Sequence, residues 1–123
     1  KDYLVDYSLV PHGMAVIVSA PAVFRFTYPA CPDRHIRAAQ MLGAADACSF
    51  SSKESGEVLS SKIIELMQKL EMPNGLGGLG FTEKHIPSLV KGTLPQHRVT
   101  KLSPVPVDEE QLNNLFLEAL RYW

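Results

Sequence analysis

Pro11-His12-Gly13-Met14-Ala15-Val16-Ile17-Val18-Ser19-Ala20-Pro21-Ala22-Val23-Phe24 is the stretch on which the fold turns. From Met14 to Phe24 it carries no charge, and its 11 residues fall short of the roughly 18 to 20 needed to span a bilayer. It is apolar nearly all round, which predicts a core helix buried on most sides. Pro21 falls inside it and removes one backbone donor, so the helix is expected to kink or divide there. Pro29 and Pro32 close the segment.

The segments downstream keep a helical period. Asp33 is placed to cap a short helix running to Leu42, with Gly43 as its stop. Asp46 to Ser55 is small and polar and reads as a loop. Leu59, Ile63, Leu66, Met67 and Leu70 recur on one face and give the clearest helix. Met72-Pro73-Asn74-Gly75 breaks it. Thr82 is a good N-cap for a helix through Ile86, Leu89 and Val90, which Pro87 should distort. Thr93 to Val107, with Pro95, Pro104 and Pro106, reads as a long surface connector. Asp108 and Gln111 have the spacing of a capping box, and Leu112, Leu115, Phe116, Ala119 and Trp123 share one face behind it. Upstream, Lys1 to Pro11 reads as irregular or extended. The expectation is an all-α chain with helices near 13–29, 33–42, 54–71, 83–91 and 109–121. No strand alternation or internal repeat is legible.

The 123 residues suffice for one domain and its core. Hydrophobic residues at 46% against 20% charged argue against disorder. A net charge of −1 supplies no basic surplus, which sets nucleic acid aside as a partner. Cys31 and Cys48 lack metal-ligand spacing and read as free thiols of an intracellular protein. The start at Lys1, without Met or a signal peptide, suggests an excised or processed segment.

Two motifs carry possible chemistry. Gly75-Leu76-Gly77-Gly78-Leu79-Gly80 is formally G-x-G-x-x-G, the dinucleotide pattern. That reading needs a strand before it and a long helix after it. Here a charged helix and a proline precede it, so a flexible turn between helices is the better reading, with glycines free to adopt positive φ. His12 opens the apolar helix. The positive end of a helix is a poor place for a cation, and neutral imidazole is the form that binds metal. An ordinary core or capping histidine remains the competing reading. His35, His85 and His97 have polar neighbours and no mutual spacing, and are expected to be solvated. No Ser-His-Asp set, P-loop or paired-carboxylate pattern is present.

Val10-Pro11-His12-Gly13 followed by the apolar run, with a proline nine residues after the histidine, resembles a metal-binding signature of the iron-containing (group III) alcohol dehydrogenases. Ile86-Pro87-Ser88-Leu89 is similar to a short helix of the same family. Leu89 to Gln96, Arg98-Val99-Thr100-Lys101-Leu102, Lys1-Asp2-Tyr3, Val5-Asp6, Ser19 to Phe26 and Arg34-His35 look like one mitochondrial branch of it. That branch passes hydride from 4-hydroxybutyrate to 2-oxoglutarate through bound nicotinamide.

The resemblance implies a dehydroquinate synthase-like fold, with an N-terminal α/β nucleotide domain followed by a helical metal domain. Residues 1–123 would then be a partial C-terminal helical domain. It implies a divalent metal, iron or zinc, held by one aspartate and three histidines, and NAD as cofactor. Of the ligands only His12 has a counterpart here, and the rest would lie before Lys1 with the nucleotide domain. The implied partners are hydroxy-acid and oxo-acid substrates and the missing N-terminal part of the same protein, with no membrane. One ligand does not hold a catalytic metal, so this part alone is expected to be inactive. Within the same resemblance, Arg98 and Lys101 are candidates for gripping a substrate carboxylate. An alcohol dehydrogenase acting on another substrate class, and a non-catalytic helical interaction module, remain the alternatives.

Overall fold

The structure, a computed structural model, describes residues 10–44 and 54–123. Among these residues there is no strand, in agreement with the all-α expectation. The helices are α1 (His12–Thr27), α2 (Pro32–Met41), α3 (Ser55–Lys69), α4 (Ile86–Thr93), α5 (His97–Thr100) and α6 (Glu109–Glu118). Short 3-10 turns lie at Tyr28–Ala30, Gly77–Leu79 and Glu83–His85. No described helix is long and apolar enough to cross a membrane. The expected extended segment 1–9, Cys48 and most of the expected loop 46–55 lie outside the described residues.

The core forms because α3 packs against both α1 and α2, while α6 packs against both α1 and α4. Val18 and Ala22 of α1, Ala39 of α2, and Leu59, Ile63 and Met67 of α3 are buried together, closed by Leu76 and Ala119. Leu59, Ile63 and Met67 are the i, i+4, i+8 residues expected on one face. Leu70 was expected on the same face but is 70% exposed, because it lies past the last α3 residue at the helix C-cap. A second cluster joins Ile86 and Val90 of α4 to Leu112 of α6.

Local chemistry sets the helix ends. Gly43, at φ 92, stops α2: its N–H donates to the Gln40 carbonyl at 2.9 Å, and the Ala44 N–H donates to Ala39 at 2.9 Å. The start of α2 differs from expectation. Cys31 is the N-cap and Pro32 takes the first helical position, which leaves Asp33 in the first turn rather than at the cap. The Asp108–Gln111 capping box closes as expected, with Gln111 N–H donating to Asp108 Oδ1 at 3.0 Å and Asp108 N–H donating to Gln111 Oε1 at 3.1 Å. Thr82 precedes its 3-10 turn, and its N–H donates to His85 Nδ1 at 2.9 Å. The helix expected from residue 83 is altered ahead of Pro87: Glu83–His85 form a 3-10 turn and α4 starts at Ile86, with Pro87 in its first turn, where the missing N–H has no helical partner to lose.

Three further expectations change. The connector after Thr93 is not structureless, since α5 forms within it. The glycine turn is docked rather than flexible: Leu76 N–H donates to the Ala119 carbonyl and Gly77 N–H to the Leu120 carbonyl, each at 2.8 Å. These are terminal carbonyls that a helix cannot satisfy internally. Their capture ends α6 at Glu118, short of the expected residue 121, and leaves Trp123 off the helix and 39% exposed. Finally, α1 is not buried on most sides. Val18, Pro21, Ala22 and Thr27 are buried, while Val16 is 52% and Val23 38% exposed on an apolar outer face. The helix is apolar all round, yet the described residues supply packing partners for one side of it.

Candidate functional site

His12 is the first residue of α1, follows Pro11 at the N-cap, and is exposed. No hydrogen bond to its side chain exists among the described residues, so both ring nitrogens are open to an outside ligand. The described residues contain no group of three His, Cys, Asp or Glu side chains able to hold a metal ion. His12 therefore fits one position of a metal site and leaves the other donors to come from elsewhere.

Most of the side chains that fix α1 act on its C-terminal half. Ser60 Oγ donates to the Pro21 carbonyl at 2.7 Å from the buried face of α3. Arg25 grips Glu57 with two parallel bonds, Nε to Oε2 at 2.6 Å and Nη2 to Oε1 at 2.8 Å. The guanidinium holds the Glu57 carboxyl below the usual carboxylate range, and Glu57 in turn raises Arg25. At the helix end, Thr27 Oγ1 donates to the Val23 carbonyl at 2.9 Å and lies 3.2 Å from His35 Nε2. His35 Nδ1 donates to the Cys31 carbonyl at 3.0 Å, and Phe24 meets the ring edge-on at 5.7 Å. His35 is 5% exposed, which corrects its expected solvation: its polar sequence neighbours point elsewhere while α1 and α2 close over the ring. His85 is exposed but engaged at the Thr82 cap, and His97 is exposed at the start of α5.

Near the middle of α1 the contact comes from the chain end. Tyr122 Oη donates to the Val18 carbonyl at 3.0 Å and accepts from Ala22 N–H at 3.4 Å. Burial pushes this hydroxyl up to about 12, so it stays a donor well into the alkaline range. Asn74 braces it: Asn74 Oδ1 accepts from the N–H of Tyr122 at 2.7 Å and of Trp123 at 3.4 Å, and Asn74 Nδ2 donates to the Trp123 carbonyl. Sequence reading missed Tyr122, Asn74 and Ser60. The only local signal was Pro21, which marks a place where a helix needs outside partners.

Arg98 and Lys101 lie on and just after α5, and both are exposed. Neither forms an ion pair among the described residues. Val99 and Leu102 beside them are 51% and 80% exposed. No hydrogen bond links this segment to His12. A cavity of about 740 Å³ lies between α4 and α6 against Pro87, Val90, Lys91, Leu94, Glu109 and Asn113. Another, of about 370 Å³, lies between α1 and α6 near Arg25, Phe26, Gln111 and Glu118. Neither is lined by His12, Arg98 or Lys101. The glycine turn offers no phosphate cradle, since the Leu76 and Gly77 amides already serve α6.

Comparison with known proteins supports this reading of the fold. The chain is 47% identical over 123 residues to a hydroxyacid-oxoacid transhydrogenase, mitochondrial, of Xenopus tropicalis, covering 100% of this chain and 26% of that protein. It is 49% identical over 118 residues to a probable protein of the same name from Dictyostelium discoideum, covering 96% and 21%. The human protein of that name is 44% identical over 123 residues, covering 100% and 26%. The chain thus spans about a quarter of the length of these relatives. The crystal structure of a 1,3-propanediol oxidoreductase matches with a TM-score of 0.78 at 24% identity, over 89% of this chain and 28% of that one, which shows a shared fold. Residues 5–120 match the family described as Fe-containing alcohol dehydrogenase family, C-terminal. By that match, and by the helical architecture that goes with it, the chain belongs to the Fe-containing alcohol dehydrogenase family and represents its C-terminal region.

Proposed function

We propose that this chain is the helical, metal-side part of a mitochondrial hydroxyacid–oxoacid transhydrogenase, inactive without the remaining three quarters of the enzyme. The observation that carries the reading is 47% identity along all 123 residues to a relative of that name. The apolar outer face of α1 supports it, because a helix apolar on both sides suits a position between this chain and further protein.

When bound, a divalent metal, iron or zinc, would supply Lewis-acid polarisation of the substrate oxygen, and NAD would carry hydride between 4-hydroxybutyrate and 2-oxoglutarate. His12 contributes one metal ligand through an imidazole nitrogen that nothing else in the described chain occupies. Arg98, with Lys101 as a weaker second, grips the carboxylate at the far end of either acid. A guanidinium suits this task because its planar fork meets a carboxylate with two bonds.

The reaction is tested with full-length enzyme and 4-hydroxybutyrate deuterated at the alcohol carbon. The expected result is deuterium at C2 of 2-hydroxyglutarate, with succinic semialdehyde formed in equal amount and no label entering added free NAD. Label passing only into free NAD, with 2-oxoglutarate inert, overturns the reading in favour of a plain alcohol dehydrogenase.

Arg98→Ala in the same enzyme should cost roughly 2–5 kcal/mol in kcat/KM with the acid substrates and little with an uncharged alcohol of similar length. That range requires substrate and surrounding protein to shield the pair, since a pair left in water is worth about 0–1 kcal/mol. Equal losses on both substrates would show that Arg98 holds the connector rather than the carboxylate.

A further inference from the structure

The division expected at Pro21 does not occur, since α1 runs continuously from His12 to Thr27, but the proline is a mechanically weak point inside it. Pro21 has no N–H to return to the Ile17 carbonyl, and its ring crowds that carbonyl. Two residues earlier, Ser19 Oγ donates back to the Val16 carbonyl at 3.1 Å and lies 3.3 Å from that of Ala15, a habit that bends helices. The described side-chain anchors from α2 and α3 fall beyond this weak point: Ser60 on Pro21, Glu57 on Arg25 and His35 on Thr27. Among the described residues, the half that begins with His12 has packing from Met14, Ile17 and Val18 and one polar tie to another segment, the Tyr122 hydroxyl. That hydroxyl bonds the Val18 carbonyl on one side of Pro21 and the Ala22 amide on the other.

We propose that Tyr122 is a positioning residue for the metal ligand, its inserted hydroxyl setting the angle between the two halves of α1 and so the place of His12. This rests on the reading of His12 as a ligand. Val18 lies six positions after His12, ~9 Å along the axis at ~1.5 Å per residue. A swing of ~10° would move the imidazole by ~1.5 Å, far outside the ~0.2 Å tolerance of a metal–ligand bond. The latch is stiff because Asn74 holds the backbone of both Tyr122 and Trp123, and the adjoining glycine turn is bonded to the end of α6.

The test uses metal-loaded full-length enzyme and the rate of metal release to excess chelator. Tyr122→Phe keeps the ring and removes only the hydroxyl. Val90→Ala, in the α4–α6 cluster away from α1, serves as a destabilised control. His12→Ala reports on the ligand itself. Tyr122→Phe is expected to release metal about ten-fold faster, within the range seen when a ligand loses its outer support, with melting lowered no more than in Val90→Ala. Val90→Ala should release metal at the wild-type rate. A wild-type release rate in Tyr122→Phe, together with metal loss in His12→Ala, overturns the positioning role alone. Full metal occupancy in His12→Ala overturns the ligand reading and this inference with it. Equal acceleration in Tyr122→Phe and Val90→Ala reduces the hydroxyl to general stability and also overturns it.

Discussion

Full-length enzyme carrying His12→Ala is expected to lose metal and activity together. A metal centre of this kind normally takes at least three protein ligands, and each one removed lowers affinity steeply. Loss of outer-shell support alone costs about 10–100-fold, so loss of the ligand itself should cost about 100-fold or more in affinity and in kcat/KM. The fold should survive. His12 is exposed, makes no described hydrogen bond, and is outside both core clusters. Alanine is also a better helix former at the first turn of α1. Metal content by elemental analysis and far-UV circular dichroism separate the two effects. A variant with full metal occupancy would count against the ligand assignment, and one with lost helicity would make His12 a structural residue.

Gly75→Ala is expected to be the most destabilising single-methyl change in the described chain. Gly75 sits at φ 61, and an added Cβ would fall 2.3 Å from the Ala119 carbonyl oxygen and 2.8 Å from that of Leu120. The left-handed conformation alone costs a non-glycine residue roughly 1–2 kcal/mol. The clash is with backbone, which cannot rotate aside, so the turn must lift off α6. That breaks the Leu76–Ala119 and Gly77–Leu120 bonds, each worth about 0.5–1.5 kcal/mol net. The expected total is about 2–5 kcal/mol, read from denaturant unfolding of the full-length protein. Gly80→Ala is the control, because Gly80 has φ 89 but nothing within 4 Å of its added Cβ. It should cost only the conformational part, about 1–2 kcal/mol. Equal losses in the two variants would mean that the glycine turn is not held against α6 in solution.

Much of the fold was legible because helices are local objects. The period that placed Leu59, Ile63 and Met67 together, the Asp108–Gln111 box and the stop at Gly43 each involve residues within one or two turns. Interactions over three or four residues leave a mark in any single sequence. The Pro11-His12-Gly13 entrance to α1 was legible for the same reason, and it places the candidate ligand at an exposed helix start. Where expectation and structure part, a distant segment intervenes. His35 looked solvated from its polar neighbours but is enclosed by α1 and α2. The glycine turn looked flexible, yet it is pinned by carbonyls more than forty positions further on, at Ala119 and Leu120.

By itself, then, the sequence determined the all-helical class, most helix spans to within a turn, the Asp108–Gln111 box and the Gly43 stop, and it singled out His12 as the candidate for metal chemistry. Tertiary structure decided which side of α1 is covered, what the glycine motif does, and which residue ties α1 on either side of Pro21. The physical reason is range. Tyr122 bonds Val18 across 104 positions and Asn74 bonds Tyr122 across 48, and no periodicity encodes either pairing. Such contacts exist only once α3 and α6 have packed against α1 and brought the chain end to the Val18 carbonyl and the Ala22 amide.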